Sequence, residues 1–274
     1  MSPAPFIRPL TDALQTLFMP FSLYRSLLRR EIAARYRGSS LGLFWSWITP
    51  LVQMATYTLV FVFFFKNQWS QNHSEPAYFV IMLFCGLIPF HFFSESISRA
   101  PTLILSNQNY VKRVTFPLQM LSSVLIGSSL FHALIGFGLL LPGILLLQGQ
   151  IPWTVIALPL VWIPFVLFTL SMTLILAGVG VFIRDLQHGV GLMLNMLFFL
   201  SPVFYPASLV PENWRVLLWL NPLSCCILQT REAAVTGVSL NLEMWAWQIG
   251  GSSLFLLIVC LWFQRLSRSF ADVL

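Results

Sequence analysis

Charge is the first thing this chain lacks. Only 9% of its 274 residues are Asp, Glu, Lys or Arg, and 57% are apolar, whereas soluble globular domains carry roughly 25% charged residues. An ordinary water-soluble fold is excluded. Lysine is scarcer still: Lys66 follows Phe65, Lys112 follows Val111, and there is no third. A Walker A loop needs Gly-Lys-Ser/Thr, because a glycine turn must present backbone N–H groups and a lysine to the phosphates. The chain is therefore not its own ATPase. The three aspartates, Asp12, Asp185 and Asp272, stand far apart, so no paired carboxylates offer a metal site or an acid–base couple. Cysteine adds nothing to chemistry. Cys85 and Cys260 lie in apolar runs, Cys225 and Cys226 are adjacent, and no CxxC or Cys/His spacing occurs, so these read as small buried apolar residues. No catalytic residue and no metal ligand is expected.

What is present is long apolar sequence with 25 Phe and 10 Trp. A helix crossing the hydrocarbon core needs about 20 apolar residues. Residues 41–65 give a first span and 77–97 a second, whose end is made polar by Pro89, His91 and Glu95. Residues 114–183 hold no Asp, Glu, Lys or Arg and divide into two spans at "QGQIPW", 148–153. Residues 189–210 give a fifth, broken by Ser201-Pro202 and Tyr205-Pro206, and 244–263 a sixth. Six spans put both termini on one side. With that side inside, 12 of the 15 basic residues are cytoplasmic, and only Lys66, Arg215 and Arg231 are outside. The positive-inside rule thus favours cytoplasmic termini. The net charge of +6 does not imply nucleic acid, because the basic residues adjoin apolar spans and form no continuous polar surface.

The segment ahead of the first span is too long and too polar for a cleaved signal peptide and is expected to be retained. Within it Phe21, Tyr24, Leu28 and Ile32 recur every three or four positions, while Arg25, Arg29, Arg30 and Arg37 fall mainly on another face. This spacing predicts a basic amphipathic helix in the headgroup layer. Arg35 departs from the pattern and projects close to the apolar side. "RGSSLG", 37–42, supplies turn formers where the chain bends to cross the membrane. Juxtamembrane arginines of this kind fix topology or hold an anionic lipid head group, and periodicity leaves both open.

Between spans five and six, "WRVLLWLNPLSCCILQT", 214–230, is apolar enough to re-enter the membrane, and it reads either as a gating element or as a surface cap. Glu95, His132 and Asn195 fall within spans. Glu95 lies one turn from Arg99 and is expected to pair with it, and His132 is expected to be a helix contact. Neither is assigned to transport. Trp45, Trp47 and Tyr57 offer flat faces on which a sugar could pack, although Trp and Tyr also gather at membrane interfaces for their own reasons.

The blocks "ARYRGSSLGLFWSWITPLVQMATYTLVF", "GLIPFHFFSESIS", "NQNYVKRVTFP", "FIRDLQHGVGLMLNMLFFLSPVFYP" and "NPLSCCILQTREA" resemble, in order, the permease subunit of bacterial type-2 ABC exporters for polysaccharides such as O-antigen, capsule and teichoic acid. That resemblance implies an all-α membrane protein. It has a cytoplasmic N-terminal segment, residues 1–40, that carries an amphipathic interfacial helix, then a domain over 41–274 with six transmembrane helices and re-entrant gate helices between spans five and six. It implies a homodimer in the bacterial inner membrane with two copies of a separate ABC ATPase that bind ATP and magnesium, the permease itself holding no cofactor. The cargo would be a polyprenyl-diphosphate-linked polysaccharide, most simply O-antigen. The residues then expected to act are Arg35, Tyr36 and Arg37 at the lipid-diphosphate gate, and Gln108, Asn109, Tyr110, Lys112 and Arg113 in ATPase coupling. Trp45, Trp47 and Tyr57 would line the channel, and Trp214, Trp219 and Asn221 would form the periplasmic gate.

Other classes fit less well. A coupled secondary carrier needs ionisable groups near mid-span and often inverted repeats. A membrane enzyme acting on lipid-linked sugars needs clustered carboxylates. Within type-2 exporters, "RYRGSSLG" and the lack of a large extracellular domain favour polysaccharide over drug or lipid cargo.

Overall fold

A computed structural model describes residues 21–60, 76–111 and 116–270. Among these, every regular element is helical, as a lipid environment demands of any element not closed into a barrel. Helix α1 (Phe21–Arg35) is followed by a turn and a short 3-10 segment (Gly42–Phe44) that leads into α2 (Trp45–Thr58). The turn is made by Gly38 and Gly42 at φ of 86° and 52°, left-handed conformations that a side chain would resist. Helix α3 (Pro76–Arg99) comes next, then the four-residue α4 (Gln108–Val111). The long helices α5 (Gln119–Gln148) and α6 (Leu158–Gly180) follow. The shorter α7 (Leu186–Leu200), α8 (Glu212–Leu220) and α9 (Pro222–Arg231) precede the final α10 (Leu242–Ser267).

Four described helical stretches are long and apolar enough to cross a bilayer: Tyr78–Thr102, Gln119–Leu146, Trp153–Gly180 and Leu242–Ser267. They match the second, third, fourth and sixth expected spans. The fifth expected span is a 15-residue apolar helix, Leu186–Leu200, about 22 Å long. It stops where Ser201 turns extended ahead of Pro202, and Tyr205 Oη closes the end by donating to the Leu200 carbonyl at 2.9 Å. The last five residues of the first expected span, 61–65, lie outside the described residues.

Helix α3 is the centre of the bundle, buried along most of its length and packed by α5, α6, α7 and α9. Apolar side chains gain little from leaving lipid, so the helices are held by close fit and by polar bonds between them. Gly180 shows how tight that fit is: a Cβ there would meet the Pro101 carbonyl oxygen at 2.1 Å.

The two ends of the bundle collect the segments that charge counting assigned to opposite sides. At one end α1 rests on the start of α5 through Leu27, Met120 and Val124, and Phe270 packs with Leu103, Ile104 and Phe182. At the other, Thr154 donates to the Ala233 carbonyl at 2.7 Å and Trp245 Nε1 to the Leu160 carbonyl at 2.7 Å. The protein-facing side of α1 is Tyr24, Leu27, Leu28 and Glu31, whereas Phe21, expected on the same stripe, is exposed.

Candidate functional site

The end of α1 brings an arginine against two groups from distant helices. Arg35 Nη1 makes an ion pair with Glu95 of α3 and lies 3.0 Å from His132 Nδ1 of α5. The same His132 nitrogen is 3.3 Å from the Glu95 carboxylate, and its Nε2 is 2.8 Å from Tyr36 Oη. Burial pushes the Tyr36 phenol above its ordinary value, against the opposing pull of Arg35, so it meets His132 as a neutral hydroxyl. Glu31 of α1 pairs with Arg99 of α3, and Arg99 reaches Glu95 only at 3.9 Å. The expected Glu95–Arg99 pair is thus secondary, since each residue has a closer partner on α1.

His132 has two self-consistent bonding states. An arginine can only donate, so in contact with Arg35 the Nδ1 atom accepts and the ring proton sits on Nε2, facing Tyr36. If Arg35 leaves, Nδ1 can carry a proton and donate to Glu95 instead. The ring can therefore give a hydrogen bond to a carboxylate that would otherwise lose its closest donor in a half-apolar site.

These groups border a cavity of ≈ 700 Å³ between α1, α2, α3 and α5. Trp45, Gln53, His91 and Ser129 are among its walls. Two buried wall atoms, His91 Nε2 and Ser129 Oγ, have no hydrogen-bond partner among the described residues. Buried polar groups are seldom left so, and a polar ligand entering here would find both donors and acceptors.

The other expected residues fall in separate places. Arg37 is exposed just past α1, in the turn. Trp47 packs near Gly138, and Tyr57 sits edge-on to Phe204 with centroids 5.7 Å apart. Gln108 and Asn109 are exposed on α4, but Tyr110 turns inward, its ring 4.4 Å from Phe116 and under the Arg30 guanidinium at 5.6 Å. Lys112 and Arg113 lie outside the described residues. Trp214 and Trp219 are exposed on α8. Asn221 is a joint: its Oδ1 accepts from the Leu223 N–H at 3.1 Å, capping α9, and its Nδ2 donates to Ser201 Oγ at 3.1 Å.

Sequence reading passed over Arg231, which is 5% exposed. It donates from Nε to the Met82 carbonyl at 3.0 Å, from Nη2 to Val203 at 2.8 Å and from Nη1 to Tyr205 at 3.3 Å. One guanidinium thereby ties α9 to α3 and to the corner after α7. It also passed over His91, Ser129 and the joint role of Glu95 and His132; the one signal for these was polarity inside otherwise apolar runs.

Comparison with known proteins adds a second kind of observation. The family described as ABC-2 type transporter matches residues 22–234. An O-antigen export system permease protein RfbA from Myxococcus xanthus is 36% identical over 213 residues, covering 76% of this chain and 78% of the relative. A protein of the same name from Klebsiella pneumoniae is 26% identical over 256 residues, covering 93% and 95%. The polysialic acid transport protein KpsM of Escherichia coli is 27% identical over 227 residues, covering 79% and 84%.

Proposed function

Because the chain belongs to the ABC-2 type transporter family and is a multi-pass membrane protein, we propose that it is the permease of a bacterial polysaccharide exporter, with lipid-linked O-antigen as cargo. The names of the relatives support this reading, O-antigen export for those at 36% and 26% identity and polysialic acid transport for one at 27%. The last makes a capsular polysaccharide the second reading of the cargo. Two permease chains form the channel in the inner membrane, each with six spans and cytoplasmic termini. Two separate ATPase subunits bind ATP and magnesium and supply the energy.

The observation that carries the mechanism is the Arg35–Glu95–His132 cluster at the mouth of the ≈ 700 Å³ cavity. A polyprenyl diphosphate keeps its tail in the inner leaflet and its phosphates in the headgroup layer, the level at which α1 lies. A guanidinium fork binds phosphate oxygens in charge-assisted pairs. Arg35 is held by Glu95 while the site is empty and exchanges that carboxylate for the diphosphate when cargo arrives. His132 then donates to Glu95, so the carboxylate is not stranded. Tyr36 positions the ring, and Arg37 adds a second cation beside the turn. The unpaired His91 and Ser129 and the Trp45 ring offer contacts to the first sugar.

Coupling to the ATPase runs through the exposed Gln108 and Asn109, with Lys112 and Arg113 following in sequence. The Tyr110 ring, held by Arg30 and Phe116, links that segment to α1 and so to the cargo site. On the outer side α8 and α9 re-enter the membrane as a gate that carries Trp214 and Trp219, with Asn221 acting as hinge. Trp47 and Tyr57 line the channel between. Photocrosslinking tests the cargo site: a diazirine-bearing polyprenyl diphosphate sugar should label peptides containing residues 35–37 in the permease–ATPase complex. Labelling that is equal in Arg35→Ala, or that a tail-only polyprenol competes away as well as the diphosphate does, would exclude it.

A further inference from the structure

A second cavity, of ≈ 340 Å³, lies far from the charged cluster, between α6, α9 and the outer half of α10. Phe165 of α6 and Phe255 of α10 make apolar walls, and Trp219 and Trp247 stand at its rim, 55% and 78% exposed. Two primary amides, those of Gln229 and Gln248, belong to residues in its walls. Gln229 is 6% exposed, and neither its Oε1 nor its Nε2 has a hydrogen-bond partner among the described residues; the same is true of Gln248 Nε2. Leaving such groups dry is costly. Two unpartnered donor groups and one unpartnered acceptor thus sit in the walls of a slot that has the volume of a ligand pocket.

Depth and shape narrow the ligand. Gln248 lies six residues into α10, about 9 Å along the helix axis, and the flanking tryptophans are the residues that mark a membrane interface. Below the slot the outward face of α10 continues apolar and exposed through Leu254, Leu257 and Ile258. A free sugar would leave most of its hydroxyls unpaired against the aromatic walls. A phospholipid fits each feature. Its acyl chain follows the apolar face, its ester and phosphate oxygens accept from the two amide NH₂ groups, and an ethanolamine or glycerol head donates to Gln229 Oε1.

We propose that this slot binds one phospholipid of the outer leaflet, wedged between the re-entrant α9 and the spans α6 and α10. The inference depends on the outer placement of this end of the bundle and not on which cargo is exported. Native mass spectrometry of the intact permease–ATPase complex, washed through increasing detergent, tests it with added phosphatidylethanolamine or phosphatidylglycerol. The wild type should keep one phospholipid per permease chain after bulk lipid is gone, and added lipid should raise its melting temperature. Gly251 lines the slot and a Cβ there meets nothing within 4 Å, so Gly251→Phe should fill it and abolish both effects. The double variant Gln229→Leu/Gln248→Leu removes the polar contacts without adding bulk and should weaken retention about tenfold; it carries the test alone if Gly251→Phe does not assemble. Equal retention in wild type and variants would overturn the proposal. So would stabilisation by a lipid-free oligosaccharide instead of phospholipid, or a disulfide between Trp247→Cys residues of two permease copies, which would show a second chain covering the slot.

Discussion

Arg231 on α9 holds the carbonyl of Val203, 28 residues earlier in the chain, at 2.8 Å from its Nη2. The same side chain also serves Met82 and Tyr205, so removing it strands acceptors in a dry interior at about 1–3 kcal/mol each. Arg231→Met is expected to lower the melting temperature of the purified complex markedly and to reduce permease abundance in the membrane. Arg231→Lys, with one ammonium in place of a fork, should recover only part of the loss.

Gly180 allows no side chain. Its Cβ position is 2.1 Å from the Pro101 oxygen and 2.7 Å from the carbonyl carbon, which are backbone atoms that cannot swing aside. Gly180→Ala should therefore drive α6 from the 100–102 turn and lower membrane abundance severalfold by immunoblot. Gly143→Ala, where nothing lies within 4 Å, should change abundance little, since alanine favours the helix by about 1 kcal/mol.

Sidedness can be read with single cysteines. The native thiols of Cys85, Cys225, Cys226 and Cys260 are all buried, so background labelling by an impermeant maleimide should be low. Gln150→Cys should label from outside intact cells, and Gln187→Cys only after the membrane is opened. Labelling of Gln187→Cys from outside would invert the topology.

For the ATPase contact, Asn109 is exposed while the neighbouring Tyr110 ring is engaged within the chain. A photoreactive residue at Asn109 or Gln108 should crosslink to the ATPase, and one at Tyr110 should crosslink within the permease. A crosslink pattern the other way round would move the coupling surface off α4.

The spans were legible because membrane helices advertise themselves by length and by lack of charge. Four of the six expected runs appear among the described helices, with the 148–153 turn where "QGQIPW" placed it. A helix over Phe21–Arg35 stands where the period placed one, although Phe21 of the expected stripe is exposed, and the turn after it was legible from its glycines. The cluster was not. Glu95 and His132 are 37 positions apart, and periodicity relates residues on one helix and not on three. The nearest basic neighbour in sequence, Arg99, therefore looked like the partner of Glu95, whereas the fold gives Glu95 to Arg35 and Arg99 to Glu31. Arg231 was hidden in the same way. A lone arginine in an apolar stretch reads only as a topology signal, because the carbonyls it serves belong to other elements.

The central claim is that Arg35 trades Glu95 for the diphosphate of the cargo, and it has a direct test in surface polysaccharide. In Arg35→Ala the Glu95 carboxylate keeps His132 at 3.3 Å and Arg99 at 3.9 Å, so the fold should survive and membrane abundance should match the wild type. A lost charge-assisted contact of about 1.5–3 kcal/mol corresponds to a drop of roughly 10-fold to 100-fold. Surface polysaccharide, measured per permease in a strain lacking the native gene, should fall by that order in Arg35→Ala and by less in Arg35→Lys. It should stay near wild type in Arg25→Ala, whose arginine lies on the exposed side of α1. Normal export by Arg35→Ala, or equal damage from Arg25→Ala, would contradict the account and leave these arginines as signals of topology alone.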